Sequence, residues 1–289
     1  MSGVGYTNMS DDETKSEARS LDQIRQHYLI ERELAARLRT ATRAERRHLY
    51  TEVYDELFRR VPHHPQLALK LDEELRRRTI AERLELLQTY LKPNSTYLEL
   101  GPGDCSLALE IAKQVRRVYA VDVSREITRD VVLPDNFELI ISDGSSIPVP
   151  EDSIDLAYSD QLMEHLHIED AREQLQNIHR VLAPGGAYIC ITPNRLSGPH
   201  DVSRNFDDVA TGFHLKEYSL TELSQMFSAA GFRLLQVLVG ARGFHIRTPT
   251  AVIKLVETIL ASAPRGLGRT LARGLPLRLV LGVKLIGIK

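Results

Sequence analysis

The feature that most constrains the fold is a regular alternation, from Thr96 onward, of short apolar runs with helical segments. Each run is rich in apolar or β-prone residues, as in buried strands. Buried strands separated by crossover helices indicate an α/β fold with a doubly wound, mostly parallel, seven-stranded sheet. The predicted strands are 97–100, 118–122, 137–142, 154–159, 187–192, 233–239 and 280–288, and the predicted helices are 106–114, 125–131, 171–182 and 220–230.

The residues before the first strand have a different pattern, which divides the chain into three parts. Residues 1–18 are polar and acidic and are predicted to be a disordered leader. Residues 19–92 are predicted to be a helical extension that acts as a lid or a dimerisation arm, with a capping box at Thr42 and Glu45. Residues 93–289 form the predicted α/β domain, which carries a helical insertion at about 241–279. Its helices, 250–263 and 266–274, are expected to shape the acceptor pocket together with the N-terminal helices.

Composition narrows the class of protein. The two cysteines, Cys105 and Cys190, form neither a disulfide framework nor a CxxC metal pair, and no apolar signal segment is present. We therefore expect a cytoplasmic protein. A formal net charge of −2, the absence of tryptophan and an aromatic content of 6% disfavour nucleic acid as a partner.

The C-terminal segment has an unusual charge balance. Residues 241–289 contain nine Lys and Arg residues but a single acid, Glu257. The segment is predicted either to contact an anionic surface, such as a membrane, or to form a solvated helical face.

A glycine-rich turn follows the first predicted strand. Gly101 and Gly103 allow a tight bend and let a cofactor approach the backbone closely. The second strand ends in Asp122, whose carboxylate is placed to accept hydrogen bonds from ribose hydroxyls. Both features predict a nucleoside-containing cofactor at the carboxyl ends of the strands.

The charges around this turn favour a cationic cofactor over a dinucleotide. Glu99 precedes the glycines and Asp104 follows them, so a carboxylate would repel a diphosphate at the helix N-terminus. Ser106 stands where the dinucleotide fingerprint has its third small residue. S-adenosyl-L-methionine carries a sulfonium and an ammonium, and the electrostatics suit it.

Five ordered motifs carry a resemblance to a known family. Residues 98–103 resemble the first motif of class I S-adenosylmethionine-dependent methyltransferases, and residues 121–124 resemble the second. Residues 142–156 resemble the third and fourth, and residues 180–186 are similar to the turn before the fifth strand. The resemblance spans about 97–240 and is close to the type-11 group, which includes ubiquinone- and menaquinone-pathway enzymes. It implies a Rossmann-like methyltransferase domain.

The resemblance also implies roles for individual residues. Gly101 and Gly103 would line the methionyl end of the cofactor, and Asp122, followed by Val123, would hold the ribose. Asp143, followed by Gly144, would face the adenine amino group. Ser159 and Asp160 would border the sulfonium and the acceptor pocket. Cys105 departs from the family pattern, which often has a third glycine there.

The run 161–165 has two interpretations. Related O-methyltransferases have a Glu-x-x-Glu-His run that can bind a divalent metal, but the first position here is Gln161, so no metal site is predicted. His165 is instead a candidate general base for an acceptor hydroxyl, with His214 as second choice. The alternative is that Glu164 and His165 only orient the loop.

The predicted function is therefore methyl transfer from S-adenosyl-L-methionine, most simply to an oxygen of a small-molecule, glycan or lipid-like acceptor. Three alternatives remain open at this point. One is a non-catalytic cofactor-binding partner or regulatory subunit, another is an aminopropyltransferase-like enzyme on the same fold, and the third is a nicotinamide-dependent oxidoreductase.

Overall fold

The structure, a computed structural model, describes residues 19–67, 72–124, 126, 129, 132–241 and 244–289. The predicted leader, residues 1–18, and most of the predicted helix 125–131 lie outside these ranges. The N-terminal region is helical, as expected. Its helices are α1 (Leu21–Thr40), α2 (Arg43–Arg60) and α3 (Glu73–Leu87).

Local signals explain where the first two helices begin. The side chains of Ser20 and Thr42 each accept a hydrogen bond from the backbone N–H three residues later. In return, the side chains of Gln23 and Glu45 accept from the backbone N–H groups of Ser20 and Thr42. The predicted capping box at Thr42 is therefore present. On α1, Leu34 and Leu38 recur at helical spacing and are fully buried. Burial of this stripe, rather than propensity alone, fixes the helix on the rest of the molecule.

The sheet begins with the predicted β–α alternation. The strand order is β3-β2-β1-β4-β5-β8-β6-β7, and β1 to β5 pair in parallel in the first five places. Strands β8 and β7 run antiparallel to their neighbours. The strands are β1 (Thr96–Leu100), β2 (Arg117–Asp122), β3 (Phe137–Ile141), β4 (Ile154–Asp160), β5 (Leu182–Thr192), β6 (Leu234–Ala241), β7 (Phe244–Pro249) and β8 (Val283–Ile288), and the helices between them are α4 (Ser106–Ala112), α5 (Ile168–Val181) and α6 (Leu220–Ala230).

Helices cover both faces of this sheet, which confirms the doubly wound architecture. Consecutive strand residues point to opposite faces, so Leu98 packs in the core with α5 and α6. Its neighbour Tyr97 packs in the second core, with α3 and α4. Strand β5 divides in the same way, with Tyr188 in the first core and Ile189 in the second.

The strand count of seven was wrong, because the described residues form a sheet of eight strands. The additional strand, β7, lies in the segment predicted to be a helical insertion and pairs antiparallel with β6. Three helices follow it, namely α7 (Thr250–Ser262), α8 (Arg265–Arg273) and α9 (Leu275–Leu281). Helix α9 occupies the start of the predicted final strand, so β8 begins only at Val283. Among the helices of the described ranges, none has both the length and the apolar character that a bilayer crossing requires.

Candidate functional site

The loop from β1 to α4 makes the tight bend that its glycines predict. Gly101 and Gly103 have φ angles of 64° and 56°. Cys105, at the departure from the family pattern, adopts the same left-handed region with φ 61°, at a cost of about 1–2 kcal/mol. A Cβ atom on Gly103 would meet no described atom within 4 Å. The loop therefore presents bare backbone to an open space.

Two cavities flank this loop. The first holds about 700 Å³ of empty volume and the second about 960 Å³, open solvent included. Both are lined by Gly101 and Gly103, together with Gln66 and Gln161. A single elongated ligand could therefore lie across the glycine loop and extend into both spaces.

Asp122 lies at the end of β2 in the wall of the first cavity. One carboxylate oxygen accepts a hydrogen bond of 2.9 Å from the backbone N–H of Ser124. Burial raises the pKa of Asp122 to about 6, although backbone hydrogen bonds oppose the shift. A carboxylate held in this way is well suited to accept hydrogen bonds from ligand hydroxyls.

Glu99 and Asp160 contribute carboxylates to the second cavity. Burial, together with the neighbouring carboxylates of Asp160, Asp104 and Asp122, raises the pKa of Glu99 to about 8, despite a hydrogen bond of 3.2 Å from the Tyr97 hydroxyl. The ionised form of Glu99 is therefore disfavoured in the free protein, and a cationic ligand would favour it.

A cation of α3 contacts this group of acids directly. Arg83 Nε donates to Asp160 Oδ2 at 2.5 Å. The other oxygen of Asp160 is buried and has no hydrogen-bond partner among the described residues. A buried carboxylate oxygen without a donor is costly, so a ligand that donates to it would bind favourably.

Most of the predicted cofactor residues lie around the glycine loop. Asp143 and Ser159 are exceptions, since neither lines either cavity. The Asp143 carboxylate accepts hydrogen bonds from the backbone N–H groups of Ser145 and Ser146, because these donors lie next to it along the chain. Ser159 is fully buried and bonds to the Tyr188 hydroxyl at 2.7 Å. The residues that do line a cavity are Glu99, Gly101, Gly103, Asp122, Val123, Gly144 and Asp160.

The N-terminal helices supply wall residues that sequence reasoning missed. Tyr54 and Phe58 of α2 line the first cavity, as does Tyr50. The Tyr50 ring lies against Gly144, where a Cβ atom would come within 2.9 Å of the ring. The Tyr50 hydroxyl donates to Asp170 at 2.8 Å, which fixes the ring. The apolar periodicity of α2 was the available signal, but it could not indicate which face meets a cavity.

The C-terminal helices lie apart from both cavities. No described residue of α7 or α8 lines the first or the second cavity, and their role in an acceptor pocket stays a prediction. Helix α7 is instead tied to the chain after β5, because Glu257 accepts a hydrogen bond from Asn194 Nδ2 at 2.8 Å. Glu257 also accepts from the backbone N–H of Leu220 at 2.6 Å. These bonds hold α7 beside the sheet.

His165 follows β4 and lines the first cavity, as expected for a residue that meets an acceptor. Its Nδ1 is 3.1 Å from the Phe213 carbonyl oxygen, so the neutral ring donates to that oxygen. Burial and the neighbouring His214 lower the pKa of His165 to about 3. The ring is therefore neutral at ordinary pH, but it is a weaker base than the sequence implied.

His214 and Glu164 lie behind His165. His214 does not line either cavity, and its Nδ1 is 2.8 Å from Glu217 Oε1. Burial opposes protonation of His214, but nearby carboxylates, Glu217 first, outweigh it and raise the pKa. Burial raises the pKa of Glu164 to about 7. One oxygen of its carboxylate has no hydrogen-bond partner among the described residues.

Glu164, His165 and His214 could together hold a metal ion. Their potential ligand atoms lie within 4.8 Å of one another. One carboxylate and two imidazoles are a sufficient set for a transition metal, and they are equally able to share protons without one.

Helix α1 positions this cluster from the other side. The Arg39 guanidinium donates to the carbonyl oxygens of Thr211, Gly212 and His214, at 2.8 to 3.1 Å. Glu31 accepts from the backbone N–H of Phe213 at 3.2 Å. The N-terminal helices therefore support the histidine cluster as well as the cavity wall.

Comparison with known proteins gives a consistent result. Residues 71–237 match a family model described as a methyltransferase domain. A protein of Mycolicibacterium smegmatis named "Probable S-adenosylmethionine-dependent methyltransferase" is 30% identical over 174 residues, which cover 58% of this chain and 65% of that protein. A Mycobacterium tuberculosis protein of the same description is 29% identical over 154 residues, covering 52% of this chain and 54% of that protein. The chain thus spans a little over half to about two thirds of the length of these curated relatives.

Solved structures agree on the fold. A SAM-dependent methyltransferase from Archaeoglobus fulgidus superimposes with a TM-score of 0.51 and 19% identity. The match covers 77% of this chain and 99% of that chain. At this identity the likeness shows the fold alone, and it agrees with the doubly wound sheet.

Proposed function

The chain belongs to the methyltransferase-domain family, and from this premise we propose that it transfers a methyl group from S-adenosyl-L-methionine to an oxygen of a small-molecule, glycan or lipid-like acceptor. The observation that carries the proposal is the set of buried carboxylates around the glycine loop. Glu99 and Asp122 have pKa values raised to about 8 and about 6. These carboxyl groups resist ionisation in the free protein, and the positive charges of a cationic cofactor would favour their ionised forms.

The residues present fit this cofactor group by group. Asp122 and Val123 line the first cavity, where a ribose would find its acceptor carboxylate. Glu99 and the unpartnered oxygen of Asp160 supply negative charge for the sulfonium and ammonium. Arg76 of α3 also lines the second cavity and supplies positive charge for the methionyl carboxylate.

The chemistry demands alignment more than reactive side chains. When bound, the cofactor supplies the electrophilic methyl group. The protein holds the acceptor oxygen in line with it and excludes water, for which Tyr54, Phe58 and Leu166 provide apolar walls. His165 remains neutral and can accept a hydrogen bond from the acceptor hydroxyl. Because its pKa is low, His165 can take the proton of the acceptor hydroxyl only late in methyl transfer.

The alternatives fit these walls less well. A polyamine substrate of an aminopropyltransferase would require acids along its tunnel, but the first cavity is walled by aromatic and aliphatic side chains of α2 and of the chain after β4. A dinucleotide would bring a diphosphate close to Glu99 and Asp104. A non-catalytic partner would bind the cofactor without turnover, and only an activity measurement separates it from an enzyme.

The test is a methyl-transfer assay with paired acceptors. Labelled S-adenosyl-L-methionine is incubated with hydroxyl compounds and with their amine counterparts, and the methylated product is identified by mass. We expect product from a hydroxyl acceptor, and we expect Asp122→Ala to abolish it at limiting cofactor. Product only from the amine would refute O-methylation, and cofactor binding without any turnover would favour the non-catalytic partner.

A further inference from the structure

The outer surface of α7 and α8 is unusually apolar. Val252, Leu255 and Ile259 of α7 are 50%, 61% and 60% exposed, at a spacing that places them on one side of the helix. Leu267 and Leu271 of α8 are 55% and 45% exposed and lie one helical turn apart. We call these five residues the aliphatic face.

This face is not an unused half of a core. The opposite side of α7 is already packed, since Ile253 and Leu260 are buried. Helix α8 approaches α7 closely through Gly268, where a Cβ atom would come within 2.6 Å of the Leu260 carbonyl oxygen. Leu260 also packs with Ala272 of α8 and Leu281 of α9. The helices are thus held with the aliphatic face toward solvent, and nothing in the described part of the chain covers it.

The helices that carry and adjoin the aliphatic face are rich in basic residues. Helices α7 to α9 contain one acid and five basic residues, namely Lys254, Arg265, Arg269, Arg273 and Arg278. Arg269 pairs with the exposed Asp208. The acid of these helices, Glu257, is buried and engaged by Asn194 and by the N-terminus of α6. It therefore does not offset the positive charge at the surface, where Lys254 of α7 is partly exposed.

We propose that the aliphatic face docks on an anionic lipid bilayer. Helices that lie in a membrane interface combine an apolar side with Lys and Arg flanks, and anionic lipids attract such flanks. The segment 250–282 contains no aromatic residue. Hot spots of protein–protein contacts are poor in Leu and Val and rich in aromatic residues, so the all-aliphatic composition of the face favours a lipid partner over a protein partner.

The location of the face connects docking to the proposed reaction. Arg273 of α8 donates to the carbonyl oxygens of Ser197 and Gly198, which follow β5 on the cavity edge of the sheet. The same stretch of chain continues to His214, beside His165. Docking would hold this edge close to the bilayer and would favour the lipid-like class of acceptor, a consequence that rests on the proposed function.

Vesicle flotation tests the proposal without cofactor or acceptor. The full chain is mixed with phosphatidylcholine vesicles that contain either no anionic lipid or about 30% phosphatidylglycerol. We expect binding to the anionic vesicles that weakens as salt is raised. Leu255→Glu with Ile259→Glu should weaken binding at least about tenfold, because two charges replace solvent-facing aliphatic groups.

A matched variant separates docking from general surface change. Leu21→Glu with Leu29→Glu alters two side chains of α1 that are 84% and 46% exposed, and it should bind vesicles as the unchanged protein does. An unchanged melting temperature of both variants would exclude unfolding. Their affinity for S-adenosylmethionine, measured separately, tests the proposed function and should also be unchanged. The proposal would be overturned if the protein failed to bind anionic vesicles, or if both variants lost vesicle binding equally. It would also be overturned if the protein formed a dimer that the α7 substitutions dissociate.

Discussion

Protonation of Glu99 should control the affinity for the cofactor. In the cofactor-free protein its pKa is about 8, so the carboxyl is mostly protonated and neutral at pH 6. A bound sulfonium and ammonium favour the ionised form and return the pKa toward its ordinary value. Binding therefore releases a proton, and affinity rises with pH below pH 8.

The size of this effect follows from the number of protons released. When one proton is lost on binding, the dissociation constant falls about tenfold for each pH unit. Between pH 5.5 and 7.0 the Glu99 contribution is about 30-fold. Asp122, with a pKa raised to about 6, adds about fourfold over the same interval if its pKa also returns to normal. This range lies below the titration of an α-amino group, so the charge of the ligand stays constant.

Isothermal titration calorimetry in buffers of different ionisation enthalpy measures both affinity and proton release. Glu99→Gln keeps the shape but cannot ionise, and it should leave only the fourfold contribution of Asp122. S-adenosylhomocysteine lacks the sulfonium and should show a smaller pH dependence. A dissociation constant that changes less than about threefold across the range, or an unchanged slope in Glu99→Gln, would show that Glu99 is not coupled to the cofactor's charge.

Four further predictions follow from the same geometry. Asp122→Asn should raise the dissociation constants of S-adenosylmethionine and S-adenosylhomocysteine about 10- to 100-fold by calorimetry, because a charged hydrogen-bond acceptor is lost; unchanged affinity would remove Asp122 from the site. His165→Ala should lower kcat by less than about 100-fold and change the cofactor affinity by no more than about twofold. An inflection near pH 6.5 in the pH profile of kcat that vanishes in this variant would contradict the lowered pKa of His165. Gly144→Ala places a Cβ atom 2.9 Å from the Tyr50 ring. In urea denaturation it should lower the free energy of unfolding by about 1–3 kcal/mol more than Gly185→Ala does. Gly185 is the matched control, because it also has positive φ but has no described neighbour within 4 Å of the added Cβ atom. Methyl transfer should survive EDTA, whereas loss of activity restored by a divalent cation would assign a metal to Glu164, His165 and His214.

The sequence was sufficient for the parts of the site that local motifs determine. The bend at Gly101 and Gly103 and the carboxylate of Asp122 depend on a strand, a turn and the next strand, all of which periodicity reveals. The left-handed conformation survives at Cys105 because the surrounding turn enforces it. Gly101, Gly103 and Asp122 line the first cavity.

Long-range packing accounts for what the sequence could not reveal. Tyr50 lines the first cavity only because α2 crosses Gly144, and nothing near Tyr50 in the chain indicates that crossing. The low pKa of His165 depends on burial against His214, which is 49 residues away along the chain. Strand β7 was missed because an edge strand is specified by its pairing with β6 as much as by its own residues.

Two predicted site residues line neither described cavity, and their roles in the site stay predictions. Asp143 and Ser159 were assigned by resemblance to a motif, which fixes position along the chain but not side-chain direction. Asp143 finds closer donors at Ser145 and Ser146, and the alternation along β4 turns Ser159 toward Tyr188 in the core.

Thermal unfolding with S-adenosylmethionine, S-adenosylhomocysteine and NAD(H) in parallel tests the central claim most directly. Ligand at about 100 times its dissociation constant adds roughly 2.7 kcal/mol, which raises the melting temperature by several degrees. We expect both sulfur compounds to stabilise the protein and NAD(H) not to stabilise it. No shift with either sulfur compound, or a shift with NAD(H) alone, would contradict a methyl-donor site at the glycine loop.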